Sequence, residues 1–217
     1  MKRDVKAVNP RALLIAIMEP PPAMEEEFNE WYDLEHIPQM RDVPGIDTAT
    51  RFLAVEGWPR YLAVYDLAEF TVLRSPAYRA MTGSGFTAWS RRILSRVRGW
   101  QRLTFNQVAP GPATMNSDCG ALLLFVFKGE VDLAAVVAKV AGEPGVVQVR
   151  AFGPGEDVND GAALLVESGA IAPLANASAS TLRALEDAHA VPAFSGTYLK
   201  YWRTDPLARF HSLEAGR

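Results

Sequence analysis

The sequence has one cysteine, Cys119, three histidines spread along its length, and no surplus of positive charge. A single cysteine cannot close an internal disulfide. It stands just before an apolar run, where a small buried hydrophobe is the ordinary reading, and a reducing compartment fits. His36, His189 and His211 lie far apart with no ligand-type spacing, so no metal site and no cofactor are expected. With 22 Lys and Arg against 25 Asp and Glu, there is no basic stripe to bind nucleic acid or an anionic membrane. No apolar run approaches the ~18 residues of a membrane helix. The run Ala12 to Met18 ends in Glu19 and three prolines rather than the small residues of a cleavage site. Gly83-Ser84-Gly85 has no Lys-Ser/Thr after it and is not a phosphate loop. These exclusions leave a soluble, cytoplasmic protein of 217 residues, 49% hydrophobic, long enough for one large domain or two small ones.

What is present parses into two halves with one order of elements. Arg11–Glu19 is an apolar run that reads as a buried strand. Met24 to Gln39 places Phe28, Trp31, Tyr32 and Leu34 at helical spacing behind the acids Glu25, Glu26 and Glu27. Pro38 is expected to end that helix, because it biases Ile37 away from helical geometry. Ile46–Val55 and Arg60–Leu67 read as a hairpin. Helices follow around Phe70–Ala80 and Phe86–Val97, then a strand at Trp100–Val108. After the turn-rich Ala109-Pro110-Gly111-Pro112-Ala113, the order recurs: strand Ala121–Lys128, helix Val131–Ala141, strands Val146–Phe152 and Ala162–Glu167, helix Ile171–Ala188, strand Phe194–Arg203.

Register supports a duplication with units 1–110 and 111–217, the second degenerate. Pro44-Gly45-Ile46 and Pro144-Gly145-Val146 stand 100 positions apart, as do Phe52 and Phe152. The expected fold class is α+β: tandem ferredoxin-like βαββαβ units, each an antiparallel sheet with helices on one face. Leu13-Leu14-Ile15-Ala16-Ile17 and Leu122-Leu123-Leu124-Phe125-Val126-Phe127 do not alternate, so the bare faces also need cover. Two sheets packed face to face as an α/β barrel satisfy this, with a small-molecule cavity expected between them.

The segment Glu30-Trp31-Tyr32-Asp33-Leu34-Glu35-His36-Ile37-Pro38, then Val43-Pro44-Gly45 and Arg51-Phe52, resembles the dimeric α/β-barrel superfamily, most of all its EthD-like members. Arg60 to Leu67 and Ser75-Pro76-Ala77-Tyr78 fit the same pattern. The likeness covers about the first 108 residues; the second half matches in element order only. It implies a ferredoxin-like barrel. It does not imply one activity, since the superfamily includes cofactor-free monooxygenases, cyclases, isomerases, haem enzymes and proteins without known activity.

His36 is the leading candidate for chemistry. It shares a helix face with Tyr32 and suits acid–base work; equally, an imidazole in the last turn of a helix satisfies free carbonyls. Tyr32 is read as its helper and Arg51 as a holder of an oxyanion. Trp31, Phe28 and Tyr65 are read as pocket walls, with plain core packing the competing account. Tyr61 and Tyr65 share one strand face. The expected partner is a small apolar or aromatic molecule, and a homodimer stays open. The function is read either as a cofactor-independent monooxygenase, cyclase or isomerase on an aromatic or enolisable substrate, or as a non-catalytic ligand-binding protein.

Overall fold

The structure, a computed structural model, describes residues 10–155 and 161–201. Strand β1 (Ala12–Glu19) leads past the prolines into a helical run. That run comprises α1 (Glu25–Trp31), a π-turn (Tyr32–His36) and α2 (Ile37–Arg41). Then come β2 (Ile46–Ala54), β3 (Tyr61–Leu67), a 3-10 turn (Phe70–Arg74), α3 (Pro76–Ala80), α4 (Ala88–Leu94) and β4 (Arg98–Ala109). The rest is β5 (Ala121–Lys128), α5 (Ala134–Val140), β6 (Val146–Pro154), β7 (Gly161–Ser168), α6 (Ile171–Asp187) and β8 (Phe194–Lys200). The expected last strand ran to Arg203; residues 202 and 203, like His211 and the charged first six residues, lie outside the described residues.

All eight strands form one closed antiparallel barrel in the order β1-β3-β2-β8-β5-β7-β6-β4. The sheets therefore do more than face each other. Phe52, Leu53 and Ala54 of β2 pair with Lys200, Leu199 and Tyr198 of β8, and β4 pairs with β6 from Phe105 to Ala109. Closure leaves no sheet edge open for pairing. Among the described residues, no helix is long and apolar enough to cross a membrane.

Strand alternation divides the apolar residues into three clusters. Leu13, Ile15, Ile17, Phe52, Leu62, Val64, Phe105, Leu122, Leu124, Phe152, Leu165 and Tyr198 fill the barrel interior. Fully burying a Leu, Ile or Phe side chain contributes about 1.5–3 kcal/mol, so the interior closes on itself. This corrects the expected cavity between the sheets. The alternate residues Leu14, Met18, Tyr61, Ala63 and Tyr65 face outward and pack against the first-half helices, with Phe28, Trp31, Tyr32, Met40 and Tyr78. Leu123, Phe125, Phe127, Leu164 and Val166 do the same against α5 and α6.

Two turns carry out the Pro-Gly expectation. Ile46 N–H bonds to Val43 O at 3.1 Å and Val146 N–H to Glu143 O at 3.1 Å. Gly45 and Gly145 hold φ of +91° and +82°, as the second central residue of a type II turn requires.

The linker is anchored across one end of the barrel. Arg150, with no exposed side-chain surface, bridges Asp66 at 2.5 Å and Glu167 at 2.7 Å. Asp66 also accepts from Met115 N–H at 2.6 Å, and Glu167 from Asn116 N–H at 2.8 Å. Burial pushes the Glu167 carboxyl above its ordinary range, with Arg150 opposing.

Candidate active site

The helical run does not stop at Pro38. It continues to Arg41 because the chain widens by one residue before the proline, and Ile37 N–H reaches back to Tyr32 O. A proline lacks an N–H and its ring collides with the carbonyl four residues earlier; a π-turn relieves both problems. His36 is therefore not a helix cap. It sits mid-run, turned toward the sheet.

The wider turn also changes which residues meet. Trp31 and His36, five apart, stack with centroids 4.6 Å apart and planes 16° from parallel. Tyr32 meets His36 edge-on at 5.4 Å, and Tyr65 of β3 lies edge-on at 6.5 Å. Trp31 is held from behind. Its Nε1 donates to Ser90 Oγ at 3.1 Å and to Glu35 Oε1 at 3.2 Å. Glu35 also accepts from Thr87 Oγ1 at 2.6 Å and Ser90 Oγ at 2.9 Å. Thr87 in turn caps α4, so the π-turn and the start of α4 share one polar knot.

These residues wall a cavity of about 350 Å³ between the helices and the outer face of β1, β3 and β4. The sequence placed Trp31, Tyr32, His36 and Tyr65 at one site, and the structure brings all four together there. Leu14, Ala16, Met18, Met40 and Leu94 supply apolar wall; Tyr78, Thr82, Gly83, Phe86, Trp100 and Arg102 complete it. Between Leu14 and Met18 on the outward row of β1 stands the small Ala16, which leaves room at the floor of the cavity.

Burial sets the protonation states. The His36 imidazole is pushed down to about 4 by burial, with Glu35 opposing and Arg51 adding to the fall. It is neutral at pH 7. Burial pushes the Tyr32 phenol up to about 12 against the nearby Arg51 charge, and Tyr65 well above its ordinary value. The wall thus presents a neutral imidazole and two protonated phenols. His36 Nδ1 and the Tyr65 hydroxyl are buried without a hydrogen-bond partner among the described residues. The Tyr32 hydroxyl reaches Met18 Sδ at 3.8 Å and neighbours the Tyr65 hydroxyl.

Arg51 and Phe28 are not brought into the cavity. Arg51 donates to Asp33 Oδ1 at 2.8 Å and Asn29 Oδ1 at 2.6 Å. Its guanidinium lies 4.3 Å from the Tyr32 ring centroid and 4.1 Å from that of Tyr201, beside a separate surface pocket lined by Arg41 and Lys200. It touches the site only through Tyr32, so the expected oxyanion contact is replaced by a cation stacked on an aromatic ring. Phe28 has no exposed surface and packs edge-on to Tyr32 at 5.1 Å and Tyr61 at 4.8 Å. Sequence reasoning missed Trp100 and Arg102. The signal was a polar, bulky alternation on β4, Trp100, Arg102 and Thr104, facing the same way as Leu14 and Ala16. Among the described residues no three His, Cys, Asp or Glu side chains gather as a metal site.

No family model matches the sequence, and no match is found among curated proteins. Solved structures do resemble it. An anthrone oxidase-like protein superposes with a TM-score of 0.60 at 11% identity, over 89% of this chain and 92% of that one. A protein named as a candidate monooxygenase from Fusobacterium nucleatum gives 0.60 at 9% identity, over 89% and 93%. A haem-binding protein from Thermus thermophilus gives 0.54 at 8% identity, over 89% and 92%. The cavity at His36 does not fit a haem. About 350 Å³ is near the bottom of the roughly 300–1,000 Å³ range of small-molecule sites, suited to a few fused rings and too small for a tetrapyrrole. In the second half, Phe127, Leu164, Leu174 and Leu185 fill the space between helices and sheet, and His189 is exposed. At these identities the likenesses establish the fold, an α+β barrel closed by eight antiparallel strands.

Proposed function

We propose that the cavity binds a flat, oxygen-bearing aromatic or enolisable molecule and that His36 removes a proton from it. The protein is then a cofactor-independent monooxygenase. The observation that carries this reading is a pair of buried polar atoms, His36 Nδ1 and the Tyr65 hydroxyl, that find no hydrogen-bond partner among the described residues in a mostly apolar wall. A buried polar group without a partner costs about 1–3 kcal/mol, and such groups are retained where a ligand completes them. Tyr65 and Tyr32, protonated, donate to a developing oxyanion. Glu35, one residue from His36, favours the imidazolium that forms. Loss of the proton leaves a carbanion that reduces dioxygen, so that a methylene and O2 become a carbonyl and water. The monooxygenase and anthrone oxidase-like names among the structural neighbours support this chemistry without assigning it.

On the same reading the chain is two fused βαββαβ units meeting near residue 110, the second having lost its site, as the EthD-like likeness of the first half suggests; a cytoplasmic location goes with it. A second reading, ligand binding without turnover, is favoured by one fact. An imidazole held near 4 is a weak base. Oxygen uptake with anthrone as substrate separates the two. The expected result is quinone formation that falls about 10²–10⁴-fold in His36→Ala. Binding without oxygen uptake in the wild type would sink the monooxygenase reading and leave the binding one.

A further inference from the structure

The indole of Trp31 is engaged twice by the next turn of its own helix. The π-turn sets His36, five residues on, against its face, with centroids 4.6 Å apart and planes 16° from parallel. Glu35, four residues on, accepts from the indole N–H at the ring's edge, at 3.2 Å. In a regular α-helix five residues turn well past one full turn, and His36 would leave the indole. Widened turns of this kind recur at functional sites. Trp31 has no exposed surface and is fixed between the two side chains.

Glu35 is held by neutral donors. Besides the indole, its Oε1 accepts from Thr87 Oγ1 at 2.6 Å and Ser90 Oγ at 2.9 Å. These bonds fix the carboxylate and leave its charge in place. The other charged and titratable groups around the imidazole come from several elements. Tyr32 precedes it on the same run, while Tyr65 of β3, Tyr78 beside α3 Pro76 and Arg102 of β4 share its cavity. Arg51 of β2 is paired with Asp33 and lies beyond the Tyr32 ring. Glu35 favours the charged imidazole, and burial and Arg51 oppose it.

We infer that Trp31 is the positioning residue of the base: the imidazolium formed at His36 rests on the indole face as a cation on a π system, and Glu35, bonded to the indole N–H, makes that face more negative. This rests on the proposed role of His36 and adds what lets a buried, weakly basic imidazole accept the proton. In that step one C–H bond of the substrate breaks, one N–H bond forms on His36, and the electron pair stays on the substrate as an enolate. The new positive charge appears against a ring whose quadrupole attracts cations. A carboxylate on the ring N–H polarises the indole in the same sense. Thr87 and Ser90 stand outside the cavity lining and act by keeping Glu35 aimed at that N–H. The attraction is realised only once the imidazole is charged, so it belongs to proton transfer and not to binding.

The test is oxygen uptake by the full chain with anthrone at pH 7, with anthrone binding measured in parallel without oxygen. Glu35→Gln keeps an acceptor for the same donors and removes the charge. Trp31→Phe keeps a ring beneath His36 and removes the N–H. Each is expected to lower kcat about tenfold, the scale of a cation–π contact. Glu35→Gln is expected to leave the Kd for anthrone within about twofold, which also shows that the variant is folded. The double variant is expected to be no slower than Trp31→Phe alone, because Glu35 acts through the indole. Trp31→Leu, which removes the ring, is expected to be slower than Trp31→Phe. A wild-type kcat in Glu35→Gln would overturn the inference and leave His36 as the base. Losses that multiply in the double variant would overturn it too, since Glu35 would then act without the indole. A Kd weakened as much as kcat in Glu35→Gln would mark a structural role and end it, and so would equal rates in Trp31→Phe and Trp31→Leu. Absence of oxygen uptake by the wild type would overturn both the inference and the reading beneath it.

Discussion

Gly45→Ala and Gly145→Ala form a matched pair whose difference can be worked from distances. Both glycines hold positive φ, +91° and +82°, where an L side chain costs about 1–2 kcal/mol. The new methyl groups then meet different neighbours. At Gly45 it comes within 2.6 Å of Val72 Cγ2, a side chain that can rotate away for about 0.5–1.5 kcal/mol. At Gly145 it comes within 2.2 Å of Pro173 Cβ and 2.8 Å of its Cγ. Pro173 has no rotamer to change and belongs to the first turn of α6, so the helix itself must shift, for about 1–3 kcal/mol. The expected losses are about 2.5 kcal/mol for Gly45→Ala and about 3.5 kcal/mol for Gly145→Ala. For a chain of this size the second corresponds to roughly 7–14 °C in Tm. Urea unfolding, with the slope checked for constancy, measures both. Equal losses would refute the packing argument, and a loss near zero at either site would refute the turn assignment.

The remaining expectations concern charge. Because His36 titrates near 4 when folded and near 6.5 when unfolded, the wild type loses stability as pH falls from about 6.5 to 4, by up to about 3 kcal/mol. His36→Gln should be flat by comparison, and parallel pH–stability curves would show that His36 is not buried neutral. For the same reason kcat/KM should show no inflection near 6.5. Arg150→Ala strands Asp66 and Glu167 without their cation and should cost about 3–5 kcal/mol. Glu167 already titrates high through burial, and a raised acid contributes stability at low pH that is lost as pH rises. The variant's deficit should therefore be larger at pH 8 than at pH 5 by urea unfolding, and an equal deficit at both would contradict the account.

Much of the fold could be read from periodicity. The non-alternating runs at Leu13 and Leu122 announced strands covered on both faces, and the Pro-Gly turns fell where expected. Which face holds the cavity could not be read. Leu14 and Ile15 are equally apolar, so the pattern does not say that one faces a packed barrel and the other a ligand space. The four wall residues Trp31, Tyr32, His36 and Tyr65 were visible because they crowd one short span. Their geometry was not, since four-residue spacing pairs Tyr32 with His36 and gives no hint that a π-turn stacks His36 on Trp31. Arg51 was misplaced because nearness along the chain was taken for nearness in the cavity. The residues that engage it, Asn29 and Asp33, are ordinary helix-surface types. Arg102 escaped because its strand lies more than 60 positions from His36.

The ladders that close the barrel, β2 to β8 and β4 to β6, lie within one chain. A barrel assembled from two separate copies comes apart on dilution by mass action. Here all eight strands belong to one chain, so the closing ladders do not depend on how much protein is present. Tethering also lifts a bookkeeping rule of twofold assemblies, in which every residue must occur twice and face its own image. Arg150 shows the freedom this gives. A single guanidinium serves one carboxylate from each half, Asp66 and Glu167, where exact symmetry would force two cations into the same space.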